Sequence, residues 1–234
     1  FRKLPDFSHH GWRYARVGPD KKLYVSVGAP CNICDLGGLE GTIIRMELDG
    51  SRPEIFARGV RNSVGFDFQP TTGELYFTDN GGDGLGDDIP ADELNHAPAP
   101  GGDFGYPHYA GGRTVSPAYH DRKPPANATF PVIAFNAHVA ALGIHFYRGA
   151  MFPREYKGDA FVAQHGSWNR TVPDGYRIMR VRFGKDGKPT GKEVFADGWL
   201  QNGTAGGRPV DIKELPDGSL LVSDDRGGVI YRIT

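Results

Sequence analysis

The chain has 234 residues, in which 27 Lys and Arg are balanced by 28 Asp and Glu. This near-zero net charge provides no field to attract nucleic acid, and no run approaches the roughly 18 apolar residues that a membrane-spanning helix needs. The 34 Gly and 18 Pro are spread through turn-like dipeptides, which favours many short strands over disorder or collagen. The chain starts at Phe1 without an initiator Met, so we expect a processed mature form or a piece of something longer.

A strand, a Pro-Asp or Thr-Gly turn and a second strand recur along the chain. Clear repeats lie at residues 9–32, 66–81 and 211–227. Their period-2 alternation, punctuated by Gly and Asp, predicts that each is a β-hairpin. A fourth, less regular unit spans residues 142–166 and continues into 176–189.

The remaining segments complete the predicted architecture. Residues 41–50 and 227–234 supply outer strands beside the first and last hairpins, and residues 90–97 could hold a short helical turn or a cap-rich loop. Between roughly 96 and 140, abundant Pro, Gly, His and Asn predict a long ordered excursion on one face, and such loops are usually functional. Small antiparallel sheets recurring at about 50 residues predict a single all-β domain over 1–234, a β-propeller with about four blades, with a two-sheet sandwich as the alternative.

Cys31 and Cys34 form a single C-x-x-C motif. The motif cannot complete a four-ligand zinc site by itself, and it lacks the following His of a haem attachment site. Two interpretations stay open at this point: a local disulfide in an oxidising compartment, which we favour, and two free thiols.

Two candidate functional elements precede predicted inner strands. Histidine has an ordinary pKa near working pH, so His10 is a candidate general base, although it is easily confused with His9 and adjacent loop histidines are usually solvated. Arg61 and Asn62 lead into the second repeat, where a planar guanidinium and an amide suit an anionic group bearing carboxylates. The plainer interpretation of that pair is an Arg bound to a loop Asp and an Asn in a turn.

Residues 78–95 form the segment that is densest in oxygen ligands. Its acidic and amide side chains are Asp79, Asn80, Asp83, Asp87, Asp88, Asp92 and Glu93. Calcium prefers roughly six to eight oxygens, and the interspersed Gly residues let backbone carbonyls turn inward. The spacing does not fit an EF-hand, because position 12 counted from Asp79 is Pro90 and from Asp83 is Leu94. Any calcium here is expected in a loop of the propeller.

Eight segments, in order over essentially the whole chain, resemble the sorbosone dehydrogenase family, relatives of the soluble quinoprotein glucose dehydrogenases. They include HHGWR, GVRNSVGFDFQPTTGELYFTDN, HVAALGIHFYRGAMFP and HGSWNR. The resemblance implies a six-bladed β-propeller that uses pyrroloquinoline quinone (PQQ) and calcium. Members of the family carry further blades ahead of the point where this chain begins, so the resemblance also implies that a missing segment or a partner chain completes the ring.

The resemblance implies cofactor-site roles for several side chains. His10 corresponds to the catalytic base, and Arg61 and Asn62 correspond to cofactor contacts. Further cofactor contacts are implied at His165, Arg170 and Arg208.

Calcium ligands are implied in the oxygen-rich segment. Relatives use two successive backbone carbonyls at the positions of Gly81 and Gly82, and Asp83 beside them is a further metal candidate. Two other residues belong to the matching segments: Trp168, which is expected to pack more often than to stack, and His138, for which we assign no role.

The implied function is oxidation of an aldose or a sorbosone-like sugar in the periplasm or outside the cell. His10 takes the hydroxyl proton, hydride passes to the quinone, and Arg61, Arg208 and calcium stabilise the charge on the cofactor. Electrons then leave to a quinone or cytochrome acceptor. The alternatives are a propeller that serves as a binding or scaffold module and a calcium-dependent, lactonase-like hydrolase. Motifs for nicotinamide, nucleotide or serine-hydrolase chemistry are missing.

Overall fold

The computed structural model describes residues 4–234, which fold almost entirely into β-strands. Four sheets of three to five strands follow one another along the chain, and their strands are antiparallel apart from one short parallel pair. Within the described residues there is no α-helix, and two single-turn 3-10 helices span Pro117–Tyr119 and Arg154–Tyr156. No helix in residues 4–234 is long and apolar enough to cross a membrane.

The strands follow in chain order. The first sheet contains β1 (Ala15–Val17), β2 (Leu23–Val27), β3 (Thr42–Met46) and β4 (Glu54–Arg58). The second begins with β5 (Phe66–Phe68), β6 (Leu75–Asp79) and β7 (Ala91–Ala97). The short strand β8 (Gly102–Asp103) adds to the first sheet in parallel with β4. β9 (Tyr109–Gly111) and β10 (Thr114–Val115) form a separate hairpin, and β11 (Ile133–Ala137) returns to the second sheet. The third sheet contains β12 (Ala141–Phe146), β13 (Ala160–Gln164), β14 (Arg177–Phe183) and β15 (Pro189–Ala196). A small hairpin of β16 (Leu200–Gln201) and β17 (Thr204–Ala205) leads to the fourth sheet, β18 (Pro209–Glu214), β19 (Leu220–Asp224) and β20 (Val229–Ile233).

The first strands of successive sheets lie together, so the sheets radiate as blades. β12 packs against both β5 and β18. This approach requires glycine, because a Cβ on Gly65 would collide with the carbonyl of Leu142, and one on Gly143 would lie 2.6 Å from the Cα of Asp211. The four blades form an open arc, which confirms the predicted β-propeller architecture and excludes the sandwich.

Aromatic side chains fill the spaces between neighbouring blades. Tyr24 of the first blade meets Phe68 of the second edge-on, with ring centroids 4.9 Å apart, and Tyr76 meets Phe146 of the third at 5.4 Å. Such pairs add about 0.5–1.5 kcal/mol each to the free energy of burial. They fix each blade against the next, and therefore fix the loops at the strand ends.

A buried carboxylate joins three blades near the axis. Asp67, on β5, is 1% exposed. Its oxygens lie 3.0 Å from a guanidinium nitrogen of Arg16 and 3.2 Å from one of Arg148, and one oxygen accepts the amide of Phe146 at 2.8 Å. One side chain thus ties β1, β5 and the end of β12 together.

The predicted hairpins are confirmed, and so are the outer strands at 41–50 and 227–234, which contain β3 and β20. The prediction for 90–97 was wrong. That segment forms β7, because its backbone pairs with β6 on one side and β11 on the other, and this pairing overrides local helix signals. The excursion at 96–140 likewise ends in a strand of the second sheet.

Candidate functional site

A cavity of about 280 Å³, lined mostly by polar residues, opens where the chain enters β1, β5 and β12. Its walls consist of His9, His10, Arg61, Asn62, Asn80, Gly81, Asp83, Asp92, His138, Ala140, Trp168 and Asn169. The structure therefore brings together five of the nine residues predicted for the site, from loops of different blades. A larger cavity of about 410 Å³ lies around Asp67 and Arg148, but the arginines there, Arg16 and Arg148, are already paired with Asp67.

His10 is held by backbone contacts in a defined orientation. Its Nδ1 lies 2.9 Å from the carbonyl oxygen of Ala29, which can only accept, so Nδ1 carries the hydrogen and Nε2 keeps its lone pair. Arg13 donates to the carbonyl of His10 at 2.9 Å. Residue 10 has a φ of +50°, and Gly28 packs so closely that a Cβ there would lie 2.7 Å from the Cβ of His10.

The surroundings of His10 keep its ring neutral. Burial lowers the pKa of His10 to about 3, and the charges of Arg61 and His9 act in the same direction, whereas the bond to Ala29 opposes them. At neutral pH the imidazole can therefore accept a proton at Nε2. A base works best with a pKa near the working pH, and an anion bound at Arg61 would raise the pKa of His10 toward that range.

Arg61 is the only guanidinium among the residues that line this cavity, and it is 3% exposed. Its Nε donates to the carbonyl of Asn32 at 2.9 Å, and its Nη1 donates to the carbonyl of Asn80 at 3.1 Å. Its Nη2 donates to the side-chain oxygen of Asn32 and to a carboxylate oxygen of Asp83, both at 2.8 Å. The charge is thus fixed in place before any ligand binds.

The backbone of the Arg61–Asn62 loop is held by Asp79, at the end of β6. The two carboxylate oxygens accept the amide of Arg61 at 2.8 Å and the amide of Asn62 at 2.6 Å. Burial raises the pKa of Asp79 in spite of these bonds. The carboxylate replaces strand pairing at the point where the chain enters β5.

The Gly81–Gly82 loop is held by a second buried carboxylate. Asp92 accepts the amide of Gly81 at 2.8 Å and that of Ala140 at 2.7 Å, and burial raises its pKa to about 6. The amide of Gly82 donates to the carbonyl of Ala110 at 2.6 Å. Among the described residues no hydrogen bond reaches the carbonyl oxygen of either glycine, so both stay available as ligands.

Asp83, the third metal candidate, already has partners in the structure. One carboxylate oxygen accepts from Arg61, and the other accepts from the side-chain amide of Asn169 at 2.9 Å. Its role as a metal ligand stays a prediction. Within residues 4–234, no three His, Cys, Asp or Glu side chains are arranged as a metal site, so calcium here would depend on backbone and amide oxygens.

Three predicted cofactor contacts do not line the cavity. His165 pairs with Asp225 at 2.8 Å, and Arg208 donates to the carbonyl of His165 at 3.0 Å. Arg170 donates to the carbonyl of Asp87. The structure brings His165 and Arg208 together at the entrance to the fourth blade, and the cofactor role of all three residues stays a prediction.

Several residues of the site had no assigned role at the cofactor or gave no signal in the sequence. Trp168, which was expected to pack, is 73% exposed and lies on the cavity wall. Asn80 and Asn169 each carry a buried side-chain oxygen without a hydrogen-bond partner among the described residues. Asn32 could have been noticed from its position between the two cysteines, whereas Gly28 and Asn169 gave no local signal.

The unpaired oxygens allow a test of whether the cavity suits calcium and an anionic quinone. Buried polar atoms normally have partners, and carboxamide oxygens are ligands that calcium accepts. Three buried or partly buried carboxylates, those of Asp79, Asp83 and Asp92, hold the loops around the single guanidinium of Arg61, so negative charge is in excess whenever they are ionised. A divalent cation compensates that charge, and an anionic quinone can then bind beside Arg61. The residues present fit both groups.

Comparison with known proteins identifies the family of this chain. Residues 2–232 match the glucose/sorbosone dehydrogenase family. A protein from Borreliella burgdorferi, described only as uncharacterized, is 42% identical over 228 residues, which are 96% of this chain and 60% of that protein. The chain thus spans about 60% of the length of this curated relative.

Solved structures share the fold at low sequence identity. The calcium structure of a Trichoderma reesei carbohydrate-active enzyme of family AA12 has a TM-score of 0.84 and 22% identity, over 97% of this chain and 69% of that one. The holo PQQ domain of pyranose dehydrogenase from Coprinopsis cinerea has a TM-score of 0.78 and 19% identity, over 97% and 70%. The chain belongs to the glucose/sorbosone dehydrogenase family.

Proposed function

We propose that this chain carries the catalytic face of a PQQ- and calcium-dependent dehydrogenase that oxidises an aldose or a sorbosone-like sugar. The observation that carries the proposal is that a neutral His10, held by the backbone, and a buried Arg61 line the same cavity. Family membership supports sugar oxidation in general. The oxygen atoms of the cavity support calcium binding, and the guanidinium of Arg61 supports binding of the anionic quinone.

The contacts of the cavity residues support an assignment of those that would hold the cofactors. Arg61 and Asn62 would bind carboxylate and quinone oxygens. The carbonyls of Gly81 and Gly82, together with the side-chain oxygen of Asn80, would ligate calcium. When bound, the quinone supplies the acceptor for hydride and calcium polarises it.

His10 would remove the proton from the sugar hydroxyl at Nε2. The carbonyl of Ala29 would stabilise the resulting imidazolium through Nδ1–H, and would hold the tautomer beforehand. Arg61 would stabilise the negative charge that develops on the bound cofactor. The exposed ring of Trp168 offers an apolar face for the sugar.

The setting of the enzyme is part of the same proposal. The Cys31–Cys34 disulfide supports a periplasmic or secreted location, because such bonds persist in oxidising compartments. The open arc supports completion of the ring by a further segment or by a partner chain. Electrons would then pass to a quinone or cytochrome acceptor.

Reconstitution with calcium and PQQ, followed by dye reduction with glucose and other aldoses, tests the proposal. His10→Asn should lower kcat by about 10²–10⁴-fold while the quinone Kd stays within about twofold. His9→Asn, in the neighbouring ring, is the matched control and should keep most of the turnover. Failure of the unmodified protein, with its ring complete, to bind quinone in the presence of calcium would overturn the proposal and favour a scaffold module. Hydrolysis of lactones without quinone would favour the calcium-dependent hydrolase.

A further inference from the structure

We infer that Asn32, enclosed by the Cys31–Cys34 disulfide, is the positioning residue that aims Arg61 into the cavity. The structure joins Cys31 and Cys34 in a disulfide, so the first of the two interpretations of this motif holds. The role toward the quinone rests on the proposed function, whereas the role toward the guanidinium rests on contacts within the chain.

Asn32 makes five polar contacts with three partners. Its backbone carbonyl accepts from Nε of Arg61 at 2.9 Å, and its Oδ1 accepts from Nη2 at 2.8 Å, so one residue receives two donors of the guanidinium fork. The same Oδ1 accepts the amide of Asp83 at 2.8 Å, and Nδ2 donates to the carbonyl of Asp83 at 2.9 Å. Asn32 therefore connects Arg61 to the loop that contains the predicted calcium ligands.

The loop around Asn32 has few other contacts that could fix it. Residues 31–34 lie between β2 and β3 and take no part in a sheet. Their supports are the disulfide and the hydroxyl of Tyr106, which donates to the carbonyl of Asn32 at 3.2 Å and accepts the amide of Cys34 at 3.1 Å. Tyr106 belongs to the long excursion after β8, so that segment helps to hold the loop of residues 31–34 at the site.

The disulfide is therefore expected to limit the conformations of a loop that helps to orient Arg61. A cross-link restricts the loop it closes, and the effect is local when only two residues separate the cysteines. Dithiothreitol breaks the S–S bond by supplying two electrons and two protons. Two thiols form on Cys31 and Cys34, and the reagent closes to its own cyclic disulfide. The loop can then move away from Arg61.

Arginine labelling by phenylglyoxal, read by mass spectrometry without any cofactor, tests the positioning. The Arg61 side chain is 4% exposed and should resist the reagent in the oxidised protein, whereas the Arg52 side chain, 80% exposed, is the internal control. Labelling of Arg61 should rise about tenfold after reduction, in Cys31→Ser/Cys34→Ser, and in Asn32→Ala, with Arg52 unchanged. Asn32→Asp keeps the Oδ1 acceptor and should keep Arg61 protected. Asn127→Ala, at an exposed asparagine, is the matched control.

Equal protection of Arg61 in all these samples would overturn the inference. If Asn32→Ala does not fold, the reduced protein and the double Ser variant still decide whether the loop protects Arg61.

Titration with PQQ and calcium then extends the test: reduction and Asn32→Ala should weaken quinone binding about tenfold. Asn32→Asp should weaken it too, because its carboxylate neutralises the guanidinium. Unmodified protein that binds no quinone would refute the proposed function, and the labelling result would still decide the positioning role.

Discussion

The guanidinium of Arg61 donates to the carboxylate of Asp83 across 2.8 Å, in a wall where the Arg61 side chain is 4% exposed and that of Asp83 is 30% exposed. The pair links the loop before β5 to the loop after β6. Loss of one partner of a buried pair is more damaging than loss of both, because it leaves an uncompensated charge. The pair therefore fixes where positive charge is presented to the cavity.

Replacement of Arg61 by Lys should keep the positive charge and lose the planar arrangement of donor groups. Three donor groups of the guanidinium have separate acceptors, and a single ammonium cannot reach all of them. We expect quinone binding to weaken by about tenfold or more and the free energy of unfolding to fall by about 1–3 kcal/mol. Fluorescence titration and urea unfolding measure the two effects, with Arg52→Lys as the exposed control. Unchanged affinity in Arg61→Lys would show that only charge matters.

Protein stability should depend on pH through His10. Its folded pKa of about 3 lies below the ordinary value of 6.5, so between these limits the unfolded state binds more protons. Stability from this residue is complete above about pH 6.5 and is lost as pH falls toward about 3, with a slope of at most about 1.4 kcal/mol per pH unit. Urea unfolding of the natural chain and of His10→Asn, compared at about pH 4.5 and about pH 7.5, should show the difference in stability growing with pH. His120→Asn, at a 68% exposed ring, is the matched control.

A methyl group at Gly28 should displace the proposed base. In Gly28→Ala the new Cβ would lie 2.7 Å from the Cβ of His10 and 3.0 Å from its carbonyl oxygen. We expect a loss of about 1–3 kcal/mol in stability and a fall in sugar-dependent dye reduction larger than that in quinone affinity. Gly37→Ala, where the nearest atom is 3.7 Å away, is the matched control. Full turnover in Gly28→Ala would mean that the position of His10 is not critical.

The propeller arc should depend on Asp67. Asp67→Asn removes the buried charge that pairs with Arg16 and Arg148 of the two neighbouring blades. We expect a loss of about 3–5 kcal/mol in the free energy of unfolding, measured in urea. Asp121→Asn, at an 87% exposed side chain, should have almost no effect. A small loss for Asp67→Asn would indicate that aromatic packing alone holds the blades.

The fold was largely predictable because blade signals are local. Period-2 alternation and Gly or Asp turns repeat within each hairpin, and they do not depend on distant residues. β7 and β11 were missed for the opposite reason: β7 lies between β6 and β11, and β11 pairs with it across a gap of more than 30 residues. Periodicity within residues 90–97 or 133–137 could not show that partner.

The repeated hairpins, the family resemblance and the candidates His10, Arg61, Asn62, Gly81 and Asp83 could be identified from local sequence, since each candidate stands beside a strand that alternation predicts. Which of these side chains share a cavity, and what holds them, depends on how the blades pack. Asn32 reaches Arg61 across 29 positions of the chain, and Asn169 reaches Asp83 across 86. Contacts of that kind form when separate blades pack. Their geometry therefore depends on the buried aromatic interfaces and cannot be predicted from any single segment.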